Sequence, residues 1–495
     1  MLLFWPLVIP FGTAVLCILA WRSRPAQRAI SLAGALLLLA VATAILARVA
    51  RDGPFAEQAG GWAAPFGITL VADPLSAGMV LLTGLVAVGV LVFGLADVTP
   101  EEEHLGHHPL THAMLAGICG AFLTGDIFNM YVWFEVMLIS SFGLLVVGGG
   151  RDELDGAMKY VGLNLIATVA FLSGVGLLYG ATGALNMADL HSRLAGRGME
   201  TPILASAAFL IFAFGAKAAL FPVFFWLPAS YHTPSFTTSA IFAALLTKVG
   251  VYALIRVFTL VYPVEGTPIQ TVLLWGALLS MVVGALGALA MGTTRRVLGF
   301  SIISSIGYMI LGLAVATPLA IVGALFYLFQ DVVVKANLFL GAGAVRRLTD
   351  SESFARSGGL WRARPWFSLL FLVPALSLAG VPPFSGFWAK LLLAKATLDA
   401  GRGWLAFAIL AVGLMTLMAM ARIWNEVFWK AHPSGDAAVE GRLPAAMWLP
   451  LLAMTLIVVA VGVAAGPFVD AAQVAGAAIV DPSGYIGAVL GQPSP

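Results

Sequence analysis

Nine charged side chains lie inside apolar stretches of this sequence that could cross a membrane. An ionised side chain at the centre of a bilayer costs at least about 2.5–3.5 kcal/mol. Nine of them facing lipid would be intolerable, so they must face one another, water or another subunit. The default interpretation of such residues is an ion or proton pathway. The five bases and four acids are Lys217, Lys248, Lys335, Lys390, Arg422, Asp126, Glu135, Asp331 and Glu426.

Spacing predicts which of these charges meet on their own helices. Asp331 and Lys335 are four residues apart, and so are Arg422 and Glu426, so each pair is expected to share one helix face. A pair of this kind can also be purely structural, and for Arg422 and Glu426 both interpretations stay open.

Three lysines, Lys217, Lys248 and Lys390, have no acid within one turn of their own helix. Each therefore needs an acidic partner from another helix, or must exist as the neutral amine. A buried lysine that alternates between the two forms can take up and release protons, which is what a proton relay requires. The alternative is a structural role.

Glu135 is the only acid in an aromatic-rich span, with no Lys or Arg within seven residues on either side. Its carboxyl should be protonated unless a cation approaches from another helix. A glutamate poised between those states can gate proton entry. The alternative is a neutral glutamate that makes one hydrogen bond between helices.

Two spans are interrupted by prolines, each with a Trp, phenylalanines and a lysine nearby. Proline removes a helix hydrogen bond and frees a carbonyl, which is tolerated only where protein or water satisfies it. Transporters often carry such breaks at corresponding positions of two repeats. Lysine precedes the first break and follows the second, as two inverted repeats would place it; two Pro-rich helix ends at a surface are the alternative. The prolines are Pro222, Pro228, Pro382 and Pro383.

Histidines offer a second kind of proton carrier. His232 follows the first break, and an imidazole titrates near neutral pH, so it could pass protons between Lys217 and Lys248. A loop histidine at a helix start is the alternative. The acids at 101–103 with the histidines at 104–112 are interpreted as a solvated loop at a helix start, because their spacing matches no ligand pattern. No metal or cofactor site is predicted.

The elements that must position these residues are membrane helices. Hydrophobic residues make up 60% of the 495 residues and charged residues 10%, with a net charge of +2. Soluble chains are about 45–50% apolar and about 25% charged. This composition excludes a soluble enzyme, a nucleic-acid binder and a disordered chain. The apolar runs predict fourteen spans: 2–20, 29–47, 75–95, 111–125, 127–147, 158–180, 203–221, 236–260, 271–292, 298–316, 319–344, 367–387, 404–428 and 446–466.

Basic residues in the loops predict the orientation. If the N-terminus is outside, the inside loops hold 14 lysines and arginines, among them Arg22, Arg24 and Arg28, and the outside loops hold 7, counting Arg256. Cytoplasmic loops carry the excess of basic residues. This bias predicts both termini outside.

At these residues the chain resembles the antiporter-like family, which comprises the large subunits of Mrp-type cation/proton antiporters and the proton-pumping subunits of respiratory complex I and membrane hydrogenases. The resemblance covers roughly residues 70 to 430. The motifs that carry it are Gly125-Asp126-Ile-Phe-Asn129…Phe134-Glu135, Gly215-Ala216-Lys217…Phe221-Pro222…Trp226-Leu227-Pro228…His232-Thr233-Pro234, Thr247-Lys248-Val-Gly250-Val-Tyr252, Lys335-Ala-Asn337-Leu-Phe339 and Gly380-Val-Pro-Pro383-Phe-Ser-Gly386-Phe-Trp388-Ala-Lys390.

The resemblance implies an all-α polytopic membrane protein of fourteen transmembrane helices, with two inverted five-helix repeats that each contain a broken helix. It divides the chain into N-terminal helices one to three (1–110), a first repeat (111–260), a second repeat (271–428) and a C-terminal helix and tail (446–495). Carried over residue by residue, Glu135 and Lys217 form a coupling pair and Lys248 the central relay. Lys335 is then the relay of the second half and Lys390 its exit.

One departure concerns the helix of Lys335. Many members carry histidines one turn before that lysine, whereas Gln330 and Asp331 stand here. Proton transfer at this point then cannot use imidazole. Two alternatives stay open: the second half does not conduct as the family resemblance implies, or it uses Asp331 and water instead. A lysine at 390 resembles D-type Mrp subunits, whereas the M-type subunit of complex I carries a glutamate.

The resemblance therefore predicts a proton-translocating subunit of a multisubunit Na⁺/H⁺ antiporter in the bacterial plasma membrane, assembled with other antiporter subunits and binding no nucleic acid. The first alternative is a proton-pumping membrane subunit of a complex I-like or hydrogenase complex. A second is a stand-alone transporter, which would need a roomy polar site at the helix breaks.

Overall fold

The chain is built of helices because a bilayer offers no water to satisfy backbone N–H and C=O groups. The computed structural model describes residues 1–434 and 441–491. The α-helices in chain order are α1 (Trp5–Leu19), α2 (Arg24–Asp52), α3 (Pro74–Asp97), α4 (Pro100–His104), α5 (His107–Leu123), α6 (Ile127–Val146), α7 (Arg151–Thr182), α8 (Met187–Leu194), α9 (Thr201–Ala218), α10 (Trp226–Ser230), α11 (Phe236–Ile241), α12 (Thr247–Leu260), α13 (Pro268–Ala290), α14 (Thr294–Val315), α15 (Pro318–Thr349), α16 (Leu360–Ala363), α17 (Pro365–Ala379), α18 (Ser385–Asp399), α19 (Gly403–Ile423), α20 (Ala445–Val463), α21 (Ala465–Val480) and α22 (Ser483–Leu490).

Two wide helical turns, two short 3₁₀ helices (Ala59–Gly61 and Phe354–Arg356) and one small sheet complete the secondary structure of the described residues. A π-type turn, Phe242–Leu246, joins α11 to α12, and another, Trp424–Trp429, continues α19. Between α2 and α3, strands β1 (Phe55–Gln58) and β2 (Thr69–Ala72) pair antiparallel. Turns of the π type are rare and occur frequently at functional sites.

The predicted all-α polytopic fold is confirmed, and each predicted span overlaps a helix, although the span 367–387 runs across the break between α17 and α18. Within the described residues, eleven helices are long and apolar enough to cross a membrane, and shorter apolar helices accompany them. The fourth and fifth predicted spans are separated at residues 124–126, which lie between α5 and α6.

The C-terminal residues are more structured than the expected tail. After α20 the chain forms α21 and α22, and Tyr485 of α22 packs with its ring 5.0 Å from the guanidinium of Arg256. Because α21 has only 16 residues and contains Asp470, it lacks the apolar length that identifies a span from sequence.

Two sets of five spans lie directly before and directly after the connection between α12 and α13, and in each set the fourth span is a broken helix. The sets are α5, α6, α7, α9–α10 and α11–α12, and α13, α14, α15, α17–α18 and α19. The first break separates α9 from α10 and contains Pro222. The second separates α17 from α18 and contains Pro382 and Pro383. Because each set has an odd number of spans, the second set enters the membrane from the opposite side, which is the inverted arrangement the sequence predicted.

Three of the charged residues, Lys248, Asp331 and Lys335, lie on the innermost helices. The spans differ in the share of buried residues in an apolar stretch of 18 residues. This share is 100% in the span made by α11 and α12, 94% in α14 and 89% in α15. In the other long spans it is 33–56%, since one side faces the surroundings. Lys248 and the Asp331–Lys335 segment therefore belong to helices that have almost no contact with lipid.

Candidate functional site

A fully buried ion pair joins the two sets of helices. The ammonium Nζ of Lys248, on α12, lies 2.8 Å from carboxylate Oδ2 of Asp331, on α15, and both side chains are 0% exposed. The preceding π-type turn lets Lys248 fold back and donate a hydrogen bond of 2.7 Å to the carbonyl of Ala243. Lys248 thus finds the acidic partner from another helix that the sequence required.

The predicted pairing of Asp331 with Lys335 is wrong. Although the two residues share a helix, Lys248 holds the Asp331 carboxylate, and the Lys335 ammonium donates to Oγ of Ser301 on α14 at 2.6 Å. Spacing along one helix identifies neighbours on that helix but cannot weigh them against partners on facing helices.

Polar groups without a partner surround the central pair. Among the described residues, Oδ1 of Asp331 and Nε2 of Gln330 are buried and make no hydrogen bond. The Gln330 carbonyl accepts a hydrogen bond of 3.2 Å from Ser385, at the start of α18. Gln330 therefore links the central pair to the second broken helix.

Glu135, Thr168 and Lys217 form a second group, on α6, α7 and α9. The Thr168 hydroxyl donates to Oε1 of Glu135 at 2.7 Å, and the Lys217 ammonium lies 3.4 Å from the same hydroxyl oxygen. Lys217 also contacts the carbonyl of Asn164 at 3.4 Å. Lys217 is buried and Glu135 half-buried. The acid and the lysine are thus connected through a hydroxyl, not by direct contact.

Sequence reasoning missed Thr168. A lone threonine in an apolar helix usually bonds its own backbone, so it attracts no attention. The available signal was its spacing from Asn164, four residues earlier, which places two polar side chains on one face of the otherwise apolar middle of α7.

At the first broken helix an indole bonds a carbonyl at the end of α9. α9 ends at Ala218, and Ala219 turns the chain with φ +62°. The Trp226 indole N–H, from α10, donates to the carbonyl of Ala216 at 2.9 Å. Gly250 of α12 permits this close packing, since a Cβ there would lie 2.5 Å from the nitrogen of Ala218.

The second broken helix satisfies its freed carbonyls with its own lysine. The Lys390 ammonium, from α18, donates to the carbonyls of Leu378 and Ala379 at 3.0 and 2.7 Å and lies 5.2 Å from the ring centre of Tyr308. These carbonyls end α17, where the helix dipole favours a cation. Gly380 turns the chain with φ +87° and leaves room for the lysine stem.

His232 lies in the loop between α10 and α11. Its Nε2 is 3.0 Å from the guanidinium of Arg296, and its Nδ1 has no partner among the described residues. Burial and the nearby charges of Arg296 and Arg295 lower the pKa of His232, so the neutral imidazole prevails at neutral pH. Its side-chain partner is an arginine, and a role between Lys217 and Lys248 stays a prediction.

The remaining predicted pair does not form. Arg422 donates to the carbonyl of Leu289, while Glu426 pairs with Lys430 at 3.1 Å. Arg422 reaches α13 instead of a residue on its own helix, and Glu426 pairs with the next base four positions on, Lys430, just after the π-type turn. This end of α19 is half-buried, and its charges are structural contacts of the bundle.

Two further charges have local roles that the sequence did not indicate. Asp126 caps α6 by accepting a hydrogen bond from the backbone N–H of Asn129 at 2.7 Å. Arg256, counted from sequence among the outside loops, is a buried residue of α12 paired with Asp73 at 2.6 Å. It therefore has no place in the loop count that predicts orientation.

Comparisons with known proteins show which family and which solved structures this chain resembles. Residues 124–416 match the family model described as NADH:quinone oxidoreductase/Mrp antiporter, TM. The chain is 39% identical to the D-type subunit of the Na⁺/H⁺ antiporter of Alkalihalophilus pseudofirmus, over 99% of both chains. It is similar to a chain of the Mrp complex from Dietzia sp. DQ12-45-1b, with a TM-score of 0.92, 31% identity and 99% of both chains covered. It also resembles a chain of the membrane-bound sulfane sulfur reductase, an archaeal respiratory membrane complex, with a TM-score of 0.92, 28% identity and 99% of both chains covered.

Proposed function

This chain belongs to the NADH:quinone oxidoreductase/Mrp antiporter transmembrane family, and from that premise we propose that it is the proton-translocating D-type subunit of a multisubunit Na⁺/H⁺ antiporter. It works with other subunits of a hetero-oligomeric complex in the bacterial plasma membrane, with both termini outside. The observation that carries the proposal is the fully buried Lys248–Asp331 pair, which connects two five-helix sets at their innermost helices. Structural charges of this cost are rare inside membranes, and ion pathways are their usual purpose.

Protons travel along the row Glu135, Lys217, Lys248, Lys335 and Lys390. The Thr168 hydroxyl completes the first step: a protonated Glu135 gives its proton to the hydroxyl oxygen as the hydroxyl proton moves to the neutral amine of Lys217. The products are a carboxylate and an ammonium group, and Thr168 is unchanged. The contacts of 2.7 and 3.4 Å around this hydroxyl support the step.

Pairing provides the coupling. An ionised Glu135 stabilises the ammonium form of Lys217, so separating them drives the lysine proton onward to the Lys248–Asp331 pair. From there, the unpaired Asp331 oxygen and Gln330 amide are suited to bind internal water that leads to Lys335 and Lys390. His232 and Asp331 support this path, and Pro222, Pro228, Pro382 and Pro383 shape it.

The repeats are proposed as 111–260 and 271–428, between N-terminal helices (1–110) and a C-terminal unit (446–495).

The test uses the whole complex in everted membrane vesicles. Glu135→Ala and Lys217→Ala should abolish sodium-dependent proton flux while the complex still co-purifies. Lys159→Ala, which removes an exposed lysine of α7, is the matched control and should leave flux unchanged. Flux at the wild-type level in either variant of the pair would remove the proposal.

A second candidate is the proton-pumping membrane subunit of a redox complex, favoured by the similarity to the sulfane sulfur reductase chain. The subunits that co-purify with this chain separate the two: small hydrophobic antiporter subunits, or subunits with Fe–S clusters. A stand-alone solute transporter fits less well, because the cavity of about 290 Å³ beside the first break is lined almost entirely by apolar groups, including Phe212, Leu220 and Val223.

A further inference from the structure

A basic cavity lies at one end of the bundle, far along α2 from the strands. It has a volume of about 750 Å³ and is formed by the α1–α2 connection, the first turns of α2 and the last turn of α3. Three arginines, Arg22, Arg24 and Arg28, line it together with the apolar side chains of Leu32 and Leu95. The proton path uses none of these residues.

One buried carboxylate holds two of the arginines. Glu103 is 1% exposed and lies 2.7 Å from Nε of Arg24 and 2.6 Å from Nε of Arg28. Burial raises the pKa of Glu103, but the hydrogen bonds and charges of Arg28 and Arg24 bring it below its usual value, so the carboxylate is ionised. The sequence interpretation of this segment as a solvated loop is wrong, although Thr99 and Glu102 do begin a helix as a capping box.

The guanidinium groups of Arg24 and Arg28 have N–H donors that Glu103 does not use. A guanidinium carries five N–H donors. Arg24 uses only Nε on Glu103, and Arg28 uses Nε and Nη2. Arg22 has no hydrogen-bond or ion-pair partner among the described residues. Three arginines thus line the cavity while only two of them pair with the carboxylate, and the free edges of Arg24 and Arg28, 43% and 30% exposed, remain accessible beside the cavity.

We propose that this cavity binds the headgroup phosphate of an anionic phospholipid. Guanidinium groups match phosphate oxygens in a bidentate geometry, and basic pockets between membrane helices recognise anionic headgroups. Arg24 and Arg28 lie in the first two turns of a membrane span, where headgroups are found, and Leu32 lies one turn deeper, beside an acyl chain. The arginines could bind any phosphate, but the apolar wall beside them favours a phosphate that carries acyl chains over a free anion.

The experiment uses the purified complex and a phosphatidylglycerol with a photoreactive group near the start of one acyl chain. After illumination, peptides containing Leu32 or Leu95 should carry the cross-linked lipid. Photoreactive phosphatidylcholine should label them weakly. Arg22→Gln/Arg24→Gln, which leaves the Arg28–Glu103 pair intact, should lower the apparent affinity about 25-fold, about fivefold for each arginine.

The controls keep the outcome decisive. Arg22→Gln alone removes no hydrogen bond or ion pair of the described residues and should weaken labelling about fivefold, whereas Arg51→Gln, at the exposed far end of α2, should have no effect. Equal labelling of variant and wild type, equal labelling by phosphatidylcholine, or full displacement by inorganic phosphate would each overturn the proposal. Cross-linking of this cavity to an acidic segment of another subunit, in place of lipid, would overturn it as well.

Discussion

The two broken helices each contain a tryptophan and a lysine, but these side chains bond different groups at the two breaks. At the first break an indole, Trp226, bonds the carbonyl of Ala216, and Lys217 is left to reach across to Thr168 and Glu135. At the second break Lys390 itself bonds the freed carbonyls of α17, and its partners are backbone oxygens. The indole of the matching tryptophan, Trp388, turns away to the carbonyl of Gly462.

The difference shows how one residue type can serve two purposes. A lysine with a side-chain partner, such as Lys217 beside Thr168, can exchange that partner when the surrounding side chains change protonation or position. A lysine that fills a helix terminus stabilises the break while it is charged. The first break is therefore adapted to coupling, and the second holds a cation at a fixed place. The Lys248–Asp331 pair lies between them and belongs to both halves.

The largest effect is expected where the halves meet. Asp331→Asn leaves the Lys248 ammonium buried without a counter-charge, which costs about 3–5 kcal/mol. We expect loss of sodium-dependent proton flux and a lower unfolding midpoint of the purified complex. Asp350→Asn, at the exposed end of the same helix, is the control. A variant at Asp331 with wild-type flux and midpoint would show that the halves are independent.

The next prediction compares the lysines directly. Lys390→Met leaves two carbonyls unbonded, and each buried unbonded group costs about 1–3 kcal/mol. Lys217→Met removes only two longer contacts of 3.4 Å. The unfolding midpoint should therefore fall further for Lys390→Met, while Lys395→Met, an exposed position on α18, should leave it unchanged. If Lys217→Met and Lys390→Met lowered the unfolding midpoint equally, the proposed difference between the two breaks would be wrong.

Thr168→Val tests the bridge at the first break. It keeps the shape of the side chain and removes the hydroxyl, so flux should fall about tenfold, the equivalent of about 1.4 kcal/mol. Thr168→Ser should restore it. Ser173→Ala, an exposed hydroxyl of α7 that bonds its own helix, should have no effect. Unchanged flux with valine would mean that acid and lysine exchange protons without this hydroxyl.

The smallest effect concerns His232, beside the first break. The folded protein lowers the pKa of this imidazole, so below the usual value of about 6.5 the unfolded chain binds a proton that the folded chain does not. His232 therefore reduces stability as pH falls through that range and has no effect above it. His232→Gln should make the unfolding midpoint less sensitive to mild acid. An identical pH dependence in variant and wild type would contradict the assignment.

Sequence reasoning succeeded where apolar length and proline decide the outcome. Spans, both breaks and the need of Lys248 for an acid on another helix follow from the cost of unsatisfied groups in lipid. It failed for Asp331, whose partner lies on a facing helix, and for Glu426, which pairs with Lys430 because Arg422 reaches a carbonyl of α13. Glu103 was misjudged for a related reason: its arginines lie about 75 residues earlier in the chain.

The most direct test of the central claim is the sodium-dependent proton flux of complexes carrying Lys217→Arg. Arginine keeps the positive charge beside Thr168 and Glu135 but does not release a proton. If Lys217 carries protons, the assembled variant complex should show no flux above that of vesicles lacking the complex. Flux at the wild-type level would show that position 217 needs only a fixed charge, and the proposed path through this lysine would be wrong.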